Sequence, residues 1–190
     1  MGARFLAVAD IHSRGGALRA IREETARHAP DAVIVAGDLT NYGDAAEVRR
    51  VLEGIPGRVL AIPGNLDLWP AFDAGIAGSH AESLVGTGIK IGGVVVAGLS
   101  DKVSACDVLV LHEPPQGILD DAGGGRHIGF PAHLEALRRL QPKVLLCGHC
   151  HESPGVVVHC ATTVVNCTLG RGGRGALVEM DGDRVTARLL

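Results

Sequence analysis

Five short apolar runs in this chain are each followed within three residues by an aspartate, asparagine or histidine, and this recurrence constrains the fold more than any other feature. The runs are residues 4–9, 32–36, 58–62, 108–111 and 144–146. Continuous apolar stretches of this length are typical of strands buried on both faces. Ligands bind outside the carboxyl ends of strands in open α/β sheets, so these polar residues predict one shared site.

Helical patterns separate the first three runs. Residues 16–28 have helical spacing, and residues 44–54 place Val48, Val51 and Leu52 on one face before Gly54. Alternation of strand and helix implies a parallel sheet covered by helices. A later helix is predicted to begin at Pro131, because proline suits the first position of a helix. Residues 68–91 are predicted to form a loop, a short helix and short strands.

The second half of the chain is richer in strand patterns. Strands are predicted over residues 93–99, 107–111, 143–147, 156–160 and 163–166, and a hairpin over 176–190 turning at Asp181-Gly182. Residues 116–129 are predicted to form a glycine-rich loop. Because no linker, repeat or low-complexity tract interrupts the pattern, we predict a single domain over residues 1–190 without a cap domain.

Composition and charge exclude several classes of function. The apolar fraction of 46% is enough for a substantial core, and the net charge of −3 argues against a non-specific nucleic-acid coat. With aromatic residues at only 3%, stacking on single-stranded nucleic acid is not favoured. No run reaches transmembrane length, the chain start lacks a secretory apolar region, and the cysteine count of 5 is odd. We therefore predict a cytoplasmic protein without membrane partners, whose oligomeric state the sequence leaves open.

Seven side chains at the predicted strand ends have the chemistry of metal ligands. They are Asp10, His12, Asp38, Asn65, His112, His149 and His151. Imidazole together with carboxylate suits Mn, Fe, Zn, Co or Ni, whereas an all-oxygen set would suggest Mg or Ca. Seven ligands are too many for one ion, but two ions sharing a carboxylate would use them all. Such pairs in hydrolases bind both the attacking and the leaving oxygen.

The order of the motifs resembles that of the calcineurin-like metallophosphoesterase superfamily. The motifs are Asp10-Ile11-His12, Gly37-Asp38, Gly64-Asn65-Leu66-Asp67, His112 and Gly148-His149-Cys150-His151. The segments GDLTNYG, LHEPP, HIGF and CGHCHES are most similar to the small prokaryotic members that have no cap domain. Each motif alone is a weak signal, but five in this order are specific.

The resemblance implies a four-layer α/β/β/α sandwich with two mixed sheets flanked by helices. It also implies the ligand sets. Asp10, His12 and His151 would hold a first divalent metal ion, Asn65, His112 and His149 a second, and Asp38 would bridge them. The implied activity is that of a phosphoesterase, with a phosphodiesterase preferred, acting on a small phosphate ester. A metal-bridging hydroxide would attack phosphorus in line, with Mn²⁺ as the preferred metal.

Leu66 is a departure from the pattern of the family. The commonest family form has a histidine at this position, placed to protonate the leaving oxygen, and an acidic neighbour that orients it. Leucine cannot transfer a proton, and general acids typically contribute about 10²–10⁴-fold to rate. We predict His127 and Asp67 as catalytic residues, with His127 of the glycine-rich loop as the replacement acid. The alternative is that no acid operates and that good leaving groups are preferred.

Other functions compete with the hydrolase. A catalytically weakened scaffold of the same fold, acting in protein–protein interaction, would also retain metal ligands. The segment Cys147-Gly148-His149-Cys150 matches the spacing of thiol oxidoreductases, but Pro154-Gly155 soon afterwards excludes the helix that those enzymes require. A zinc site from Cys147, Cys150, Cys160 and Cys167 is a further alternative. Among Arg126, Arg171 and Arg174, we expect Arg171 to be the best candidate for contact with substrate phosphate.

Overall fold

The computed structural model describes residues 2–98, 100 and 102–190. Within this part of the chain there are twelve strands and four α-helices. The strands are β1 (Ala3–Val8), β2 (Ala32–Ala36), β3 (Val59–Ile62), β4 (Glu82–Ser83), β5 (Gly88–Ile91), β6 (Val94–Gly98), β7 (Val108–Val110), β8 (Val144–Cys147), β9 (Gly155–His159), β10 (Thr162–Asn166), β11 (Ala176–Asp181) and β12 (Arg184–Leu189). The helices are α1 (Gly15–His28), α2 (Ala45–Glu53), α3 (Trp69–Ala77) and α4 (Pro131–Leu140).

The strands form two mixed sheets of six strands each. The first sheet has the order β12-β11-β1-β2-β3-β4, in which β1 to β4 are parallel and the hairpin β11–β12 is antiparallel. The second has the order β5-β6-β7-β8-β10-β9, in which only the edge strands β5 and β9 run antiparallel. In both sheets the crossovers between parallel neighbours place the carboxyl ends of the central strands at the same edge.

Alternation along the strands produces three buried layers. Phe5 and Ala7 of β1 face the second sheet, while Leu6 and Val8 face helices α1 to α3. On the other side of the molecule, Leu109 and Leu145 face α4. Because successive side chains of a strand point to opposite faces, continuous apolar runs bury both faces of each sheet. The predicted four-layer α/β/β/α sandwich is confirmed.

The helices form where the sequence predicts them, and their first and last residues differ slightly from the predicted ones. Asp44 is the N-cap of α2, where its side chain accepts a hydrogen bond from the Glu47 amide at 2.9 Å. Helix α3 occupies the first part of the weakly patterned segment 68–91, and β4 and β5 follow it. The predicted strand 93–99 is observed as β6, and its last predicted residue, Leu99, lies outside the described residues.

Among the residues that the structure describes, no helix combines the length and the apolar character needed to cross a bilayer.

Candidate metal centre

Both sheets contribute side chains to one cluster at their adjoining carboxyl ends. In the first sheet, Asp10 and His12 follow β1, Asp38 follows β2 and Asn65 follows β3. In the second sheet, His112 follows β7, while His149 and His151 follow β8. The structure therefore brings together all seven predicted ligands from five parallel strands of two sheets.

Backbone hydrogen bonds join the two sheets beside this cluster. The Ala9 amide donates to the carbonyl of Cys167 at 3.2 Å, and the Leu169 amide donates to the Ala9 carbonyl at 2.9 Å. The end of β1 in the first sheet is thus paired with the segment that follows β10 in the second. This pairing fixes the distance between the ligands of one sheet and those of the other.

Four of the seven ligands have left-handed backbone conformations. The φ angles are 62° for Asp10, 50° for His12, 52° for Asp38 and 65° for His149. Residues other than glycine seldom adopt such angles, and the local strain costs about 1–3 kcal/mol per residue. These four predicted ligands sit in tight loop conformations that the surrounding fold must maintain, although turns elsewhere in the chain, such as those at Ala29 and Gln141, also have positive φ.

Two glycines of the motifs allow the loops to approach the carboxylates. A side chain at Gly64 would place its Cβ 2.2 Å from the Oδ1 atom of Asp38, and one at Gly148 would lie 2.7 Å from the Oδ2 atom of Asp10. Both separations are below any real contact distance. The glycine before Asn65 and the glycine before His149 are therefore required by this packing.

The first group of ligand atoms surrounds Asp10. The Nε2 atom of His151 lies 3.3 Å from Asp10 Oδ1, and the Nε2 atom of His12 lies 4.0 Å from both Asp10 Oδ1 and Asp38 Oδ2. Asp10, His12 and His151 each offer one ligand atom within 4.8 Å of the others. Asp10, Asp38 and His112 satisfy the same criterion, so the carboxylates of Asp10 and Asp38 connect the two parts of the cluster.

The second group meets at the side-chain oxygen of Asn65. The Nε2 atom of His112 and the Nδ1 atom of His149 both lie 2.9 Å from Asn65 Oδ1. The His112 Nε2 atom also lies 3.4 Å from the Oδ2 atom of Asp38. The three side chains predicted for a second ion therefore converge, with Asp38 beside them.

The protonation of the cluster follows from these contacts. Burial lowers the pKa of His112, but the hydrogen bond and charge of Asp38 outweigh it and raise the pKa to about 9. Burial opposes the charged form of Asp10, yet the hydrogen bond from His151 and the charge of His112 hold the pKa of Asp10 below its ordinary value. Burial and the nearby charge of His112 lower the pKa of His149. Contacts within the cluster therefore favour the charged forms of Asp10 and His112 against the effect of burial.

The donor set and its orientation fit divalent metal ions. The Nδ1 atom of His112 donates to the Ala36 carbonyl oxygen at 2.9 Å, which leaves Nε2 directed at Asn65 and Asp38. A histidine held through one ring nitrogen by a backbone carbonyl is the usual arrangement for metal ligation through the other. The His149 amide donates to both oxygens of Asp10, at 3.2 and 3.1 Å, and the Leu66 amide donates to Asp38 Oδ1 at 2.9 Å. These bonds orient the carboxylates before any ion binds.

The cluster has a buried floor and an accessible rim. Asp10, Asp38 and His112 are 0%, 3% and 4% exposed, whereas His12, His149 and His151 are half-buried and Asn65 is exposed. A cavity of about 450 Å³ opens over them. Its wall includes Asn41, Leu66 and Arg171 together with five of the ligands. The predicted ligands that line this cavity are therefore accessible from this side.

The contacts of Asp67 are structural. It is 5% exposed, and its carboxylate accepts hydrogen bonds from the amides of Leu39, Thr40 and Gly64 and from the Thr40 hydroxyl, at 2.9 to 3.0 Å. These bonds join the loop after β2 to the loop after β3. These contacts suit a residue that positions Asp38 and Asn65, and the catalytic role of Asp67 stays a prediction.

His127 is not among the residues that line the cavity over the cluster. Its Nδ1 atom is 2.7 Å from Asp120 Oδ1, and its side chain is 53% exposed. Asp120 is 1% exposed and accepts further hydrogen bonds from the amides of Gly117 and Gly129. The hydrogen bond with Asp120 raises the pKa of His127 above its ordinary value. The role of His127 as an acid stays a prediction, since the described contacts of its side chain are with its own loop.

The two interpretations that depend on cysteines, a thiol oxidoreductase and a cysteine zinc site, gain no support from the geometry. Cys147, Cys150 and Cys167 are buried and Cys160 is exposed, all as free thiols. Burial raises the pKa of the Cys147 thiol well above its ordinary value, the opposite of a reactive cysteine. Within the described residues no cysteine belongs to a metal-type cluster.

Of the arginines considered for contact with substrate phosphate, Arg171 lines the cavity, whereas Arg126 and Arg174 do not. The guanidinium of Arg174 instead pairs with Glu23 and Glu24 of α1.

Arg14 and the aromatic residue Trp69 are site residues that the sequence analysis missed. The Arg14 Nη2 atom donates to the carbonyls of Asp10 at 2.6 Å and of Leu169 at 3.2 Å, so it braces the first ligand loop. Trp69 lines a second cavity that borders Asn65 and His112. Arg14 could have been found from the sequence, because it lies two residues after the predicted ligand His12. No local sequence pattern identifies Trp69.

Comparison with known proteins gives the same family as the motifs. The family model for calcineurin-like phosphoesterases matches residues 3–153, a range that includes all seven ligands. The UPF0046 protein K07C11.7 of Caenorhabditis elegans is 40% identical over 60 residues, which are 32% of this chain and 20% of that protein. The chain thus matches about a fifth of the length of this curated relative.

Solved structures share the fold along nearly the whole chain. The protein TT1561 of Thermus thermophilus has a TM-score of 0.71 at 13% identity, covering 100% of this chain and 99% of that one. An archaeal phosphodiesterase has a TM-score of 0.61 at 13% identity, covering 98% and 99%. GAP50, described as the anchor in the inner membrane complex of Plasmodium, has a TM-score of 0.67 at 11% identity, covering 100% and 84%. At these identities the likeness is one of fold alone.

Proposed function

The chain belongs to the calcineurin-like phosphoesterase family, and we propose that it is a phosphodiesterase that uses two divalent metal ions to hydrolyse a small phosphate ester. The observation that supports this most is the convergence of seven nitrogen and oxygen donors from five strands of two sheets. A structural site would need four ligands or fewer and would close around its ion. This cluster has more donors than one ion needs and an accessible rim.

The residues of the chain divide into two ligand sets in this proposal. Asp10, His12 and His151 would hold one ion, and Asn65, His112 and His149 the other, with Asp38 shared between them. When bound, such a pair of ions supplies Lewis-acid stabilisation of charge on the phosphate oxygens and lowers the pKa of water for attack on phosphorus.

The surrounding side chains prepare the site. Backbone amides hold Asp10 and Asp38 in orientation, and Asp67 fixes the loops that present Asp38 and Asn65. Arg171 on the cavity wall can pair with a phosphate oxygen, because a guanidinium matches that geometry. Leu66, also on the wall, has an apolar side chain that transfers no proton.

The first test measures metal-dependent turnover. Protein stripped of metal and reloaded with Mn²⁺ should hydrolyse bis(p-nitrophenyl) phosphate faster than p-nitrophenyl phosphate. The Asp38→Asn variant should lose at least about 10³-fold of this activity and bind fewer than two ions per chain. Asp31→Asn, at the opposite end of the strands, is the matched control and should keep both properties. Normal turnover in Asp38→Asn would contradict the two-metal proposal.

A second experiment concerns the leaving group. We include in the proposal that His127 protonates the leaving oxygen, since the bond with Asp120 keeps its ring charged closer to neutral pH. His127→Ala should slow the hydrolysis of alkyl diesters by about 10²-fold and leave p-nitrophenyl diesters nearly unchanged, because p-nitrophenolate needs no proton. His80→Ala, a histidine elsewhere on the chain, is the control. Equal losses on both substrates would instead favour a site without an acid.

A scaffold role is the second candidate function. Leu66 in place of the family's usual histidine is the observation that favours it, and GAP50 is a protein of similar fold described as an anchor. A scaffold would bind two ions with the affinity of an enzyme and turn over no ester of any leaving group. Activity on bis(p-nitrophenyl) phosphate that depends on Asp38 would exclude this alternative.

The metal and the location complete the proposal. Mn²⁺ is the proposed ion, with Fe, Zn, Co or Ni as alternatives that the same imidazole and carboxylate donors accept. Activity measured with each ion at equal site occupancy ranks them. The odd number of cysteines supports the cytoplasm as the proposed location, because reduced thiols persist there.

A further inference from the structure

A second cavity of about 330 Å³ lies beside the candidate metal centre and shares Asn65 and His112 with it. Apolar residues form much of its lining, including Ile62, Val110 and Leu111. Its position means that a group attached to a phosphate at the ligand cluster can enter it directly. The volume exceeds that of a single aromatic ring, so a planar substituent of the ester fits.

One wall of this cavity, hereafter the side cavity, is a rigid and accessible indole. Trp69 is 55% exposed, yet its ring packs edge-on against the fully buried Phe72, with 6.5 Å between centroids and an interplanar angle of 77°. The contact holds the ring in place and leaves it accessible from the cavity. A fixed aromatic surface binds a planar ring at low entropic cost, as in sites that stack bases.

The polar groups of the side cavity differ from those of a phosphate subsite. No lysine or arginine occurs among the described residues that line it, whereas Glu113 and His133 do. The Nδ1 atom of His133 lies 2.9 Å from the Glu113 carbonyl oxygen, which can only accept, so Nδ1 carries the proton. In the neutral ring Nε2 is then an acceptor, as is the Glu113 carboxylate. The lining therefore favours hydrogen-bond donors over a second anion.

From these observations we propose that the side cavity binds an aromatic ring with N–H donors, attached to the phosphate through an ester oxygen of the substrate. The inference rests on the proposed function, which places the phosphate at the metal ligands. Trp69 contacts the face of the ring, and His133 and Glu113 accept hydrogen bonds from its amino group. Phe130 stacks on His133, with centroids 5.3 Å apart and an interplanar angle of 29°, and so orients the imidazole.

Trp69 is the single tryptophan of the chain, so its fluorescence reports binding without any catalysis. Zinc-loaded protein is titrated with three non-hydrolysable probes, namely ethylphosphonate, benzylphosphonate and 4-aminobenzylphosphonate. We expect both aromatic probes to quench the emission and to bind at least about fivefold more tightly than ethylphosphonate. The amino group should add at least about threefold more, as one hydrogen bond of typical strength would.

Variants assign the effect to the side cavity, with affinities measured by calorimetry. Trp69→Ala should remove the preference for benzylphosphonate over ethylphosphonate, and Trp69→Phe should keep part of it. His133→Ala and Glu113→Gln should reduce the preference for the amino group only. Tyr42→Ala, which changes another exposed aromatic residue outside this lining, should alter neither ratio.

The outcomes separate this proposal from the one on which it rests. Equal affinity for the three probes, with loss of all binding in Asp38→Asn, would overturn the ring site and leave the phosphoesterase intact. Normal binding of ethylphosphonate in Asp38→Asn would overturn the phosphate site itself. A preference for the aromatic probes that survives Trp69→Ala would also contradict the assignment to the side cavity.

Discussion

At the scale of single residues, backbone conformation and hydrogen bonding set the geometry of the candidate metal centre. Besides the four ligands with positive φ, Arg171 has a φ of 53° in the 3₁₀ turn Gly170–Gly172 that borders the same cavity. Its guanidinium lies 2.8 Å from a carboxylate oxygen of Glu152. Because a bulky residue seldom adopts this conformation, the surrounding contacts must hold Arg171 in place between its two neighbouring glycines.

Arg171→Ala should raise the KM for the diester by roughly tenfold and change kcat much less. The reason is that a charge-assisted contact with phosphate would be lost equally from the bound substrate and from the transition state. Arg171→Lys should recover only part of the affinity, since an ammonium lacks the planar fork. Steady-state kinetics with Arg138→Ala as an exposed control measures both. An unchanged KM in Arg171→Ala would assign this arginine to the ion pair with Glu152 alone.

The cysteines give a prediction that depends on pH. Burial, followed by the charge of Asp107, raises the pKa of the Cys106 thiol to about 11. The thiolate is the reactive form, so alkylation of Cys106 should accelerate about tenfold per pH unit up to that value, well beyond the range of an ordinary thiol. Mass spectrometry of iodoacetamide-treated protein between about pH 7 and pH 10 follows the Cys106 peptide, with Cys106→Ser to assign it. A rate that levels off near the ordinary thiol value of about 8.5 would contradict the raised pKa.

At the scale of elements, close packing can outweigh helix propensity. Gly75 lies in α3 against α2, and an added Cβ would be 2.6 Å from the Val48 Cβ and 2.9 Å from the Ala45 carbonyl oxygen. Gly16 near the start of α1 has nothing within 4 Å of such an atom. Both positions are helical, so alanine has the same intrinsic advantage of about 1 kcal/mol at each.

Gly75→Ala should therefore lower the free energy of unfolding by about 1–3 kcal/mol, because overpacking outweighs propensity. Gly16→Ala should leave it unchanged or raise it by up to about 1 kcal/mol. Urea denaturation of both variants beside the wild type measures the two differences. If the two alanines had equal effects, the close contact between α2 and α3 would not be present in solution.

At the scale of the whole molecule, the central core belongs to both sheets. Phe5 of β1 is fully buried between them, in one cluster with Val96 and Val110 of the second sheet. Because each sheet buries one face against the other, neither can unfold without exposing this layer. We propose on this basis that the chain is a single cooperative unit, as the sequence predicted for residues 1–190.

Phe5→Ala should destabilise the protein by about 3–5 kcal/mol and lower the Tm by roughly 6–20 °C while preserving one transition. Val158→Ala, at a side chain that is 74% exposed, should shift the Tm little. Calorimetry and circular dichroism on the same samples give both values. Two separate transitions in Phe5→Ala would argue for two units that unfold independently.

The sequence by itself determined the order of strands and helices and predicted the seven candidate ligands that the structure brings together. Apolar runs and helical periodicity depend on local physics, and each run is followed within three residues by one that joins the cluster, as Asp38 follows β2. The differences at the element ends, such as Ala45 rather than Asp44 beginning α2, reflect capping, which places the cap residue just outside the helix. The resemblance to a known family supplied the four-layer arrangement.

Only the tertiary structure decided what the side chains beside the ligands do. Asp67 and Leu66 are neighbours in the third sequence motif, yet they differ in environment. The buried carboxylate of Asp67 accepts hydrogen bonds from Leu39, Thr40 and Gly64, whereas Leu66 lines the cavity. Trp69 borders the same cavity as His112, although the two are far apart along the chain, because β3 and β7 lie in different sheets that meet at one edge. Contacts between segments distant in sequence depend on how whole sheets pack, and no local pattern encodes that packing.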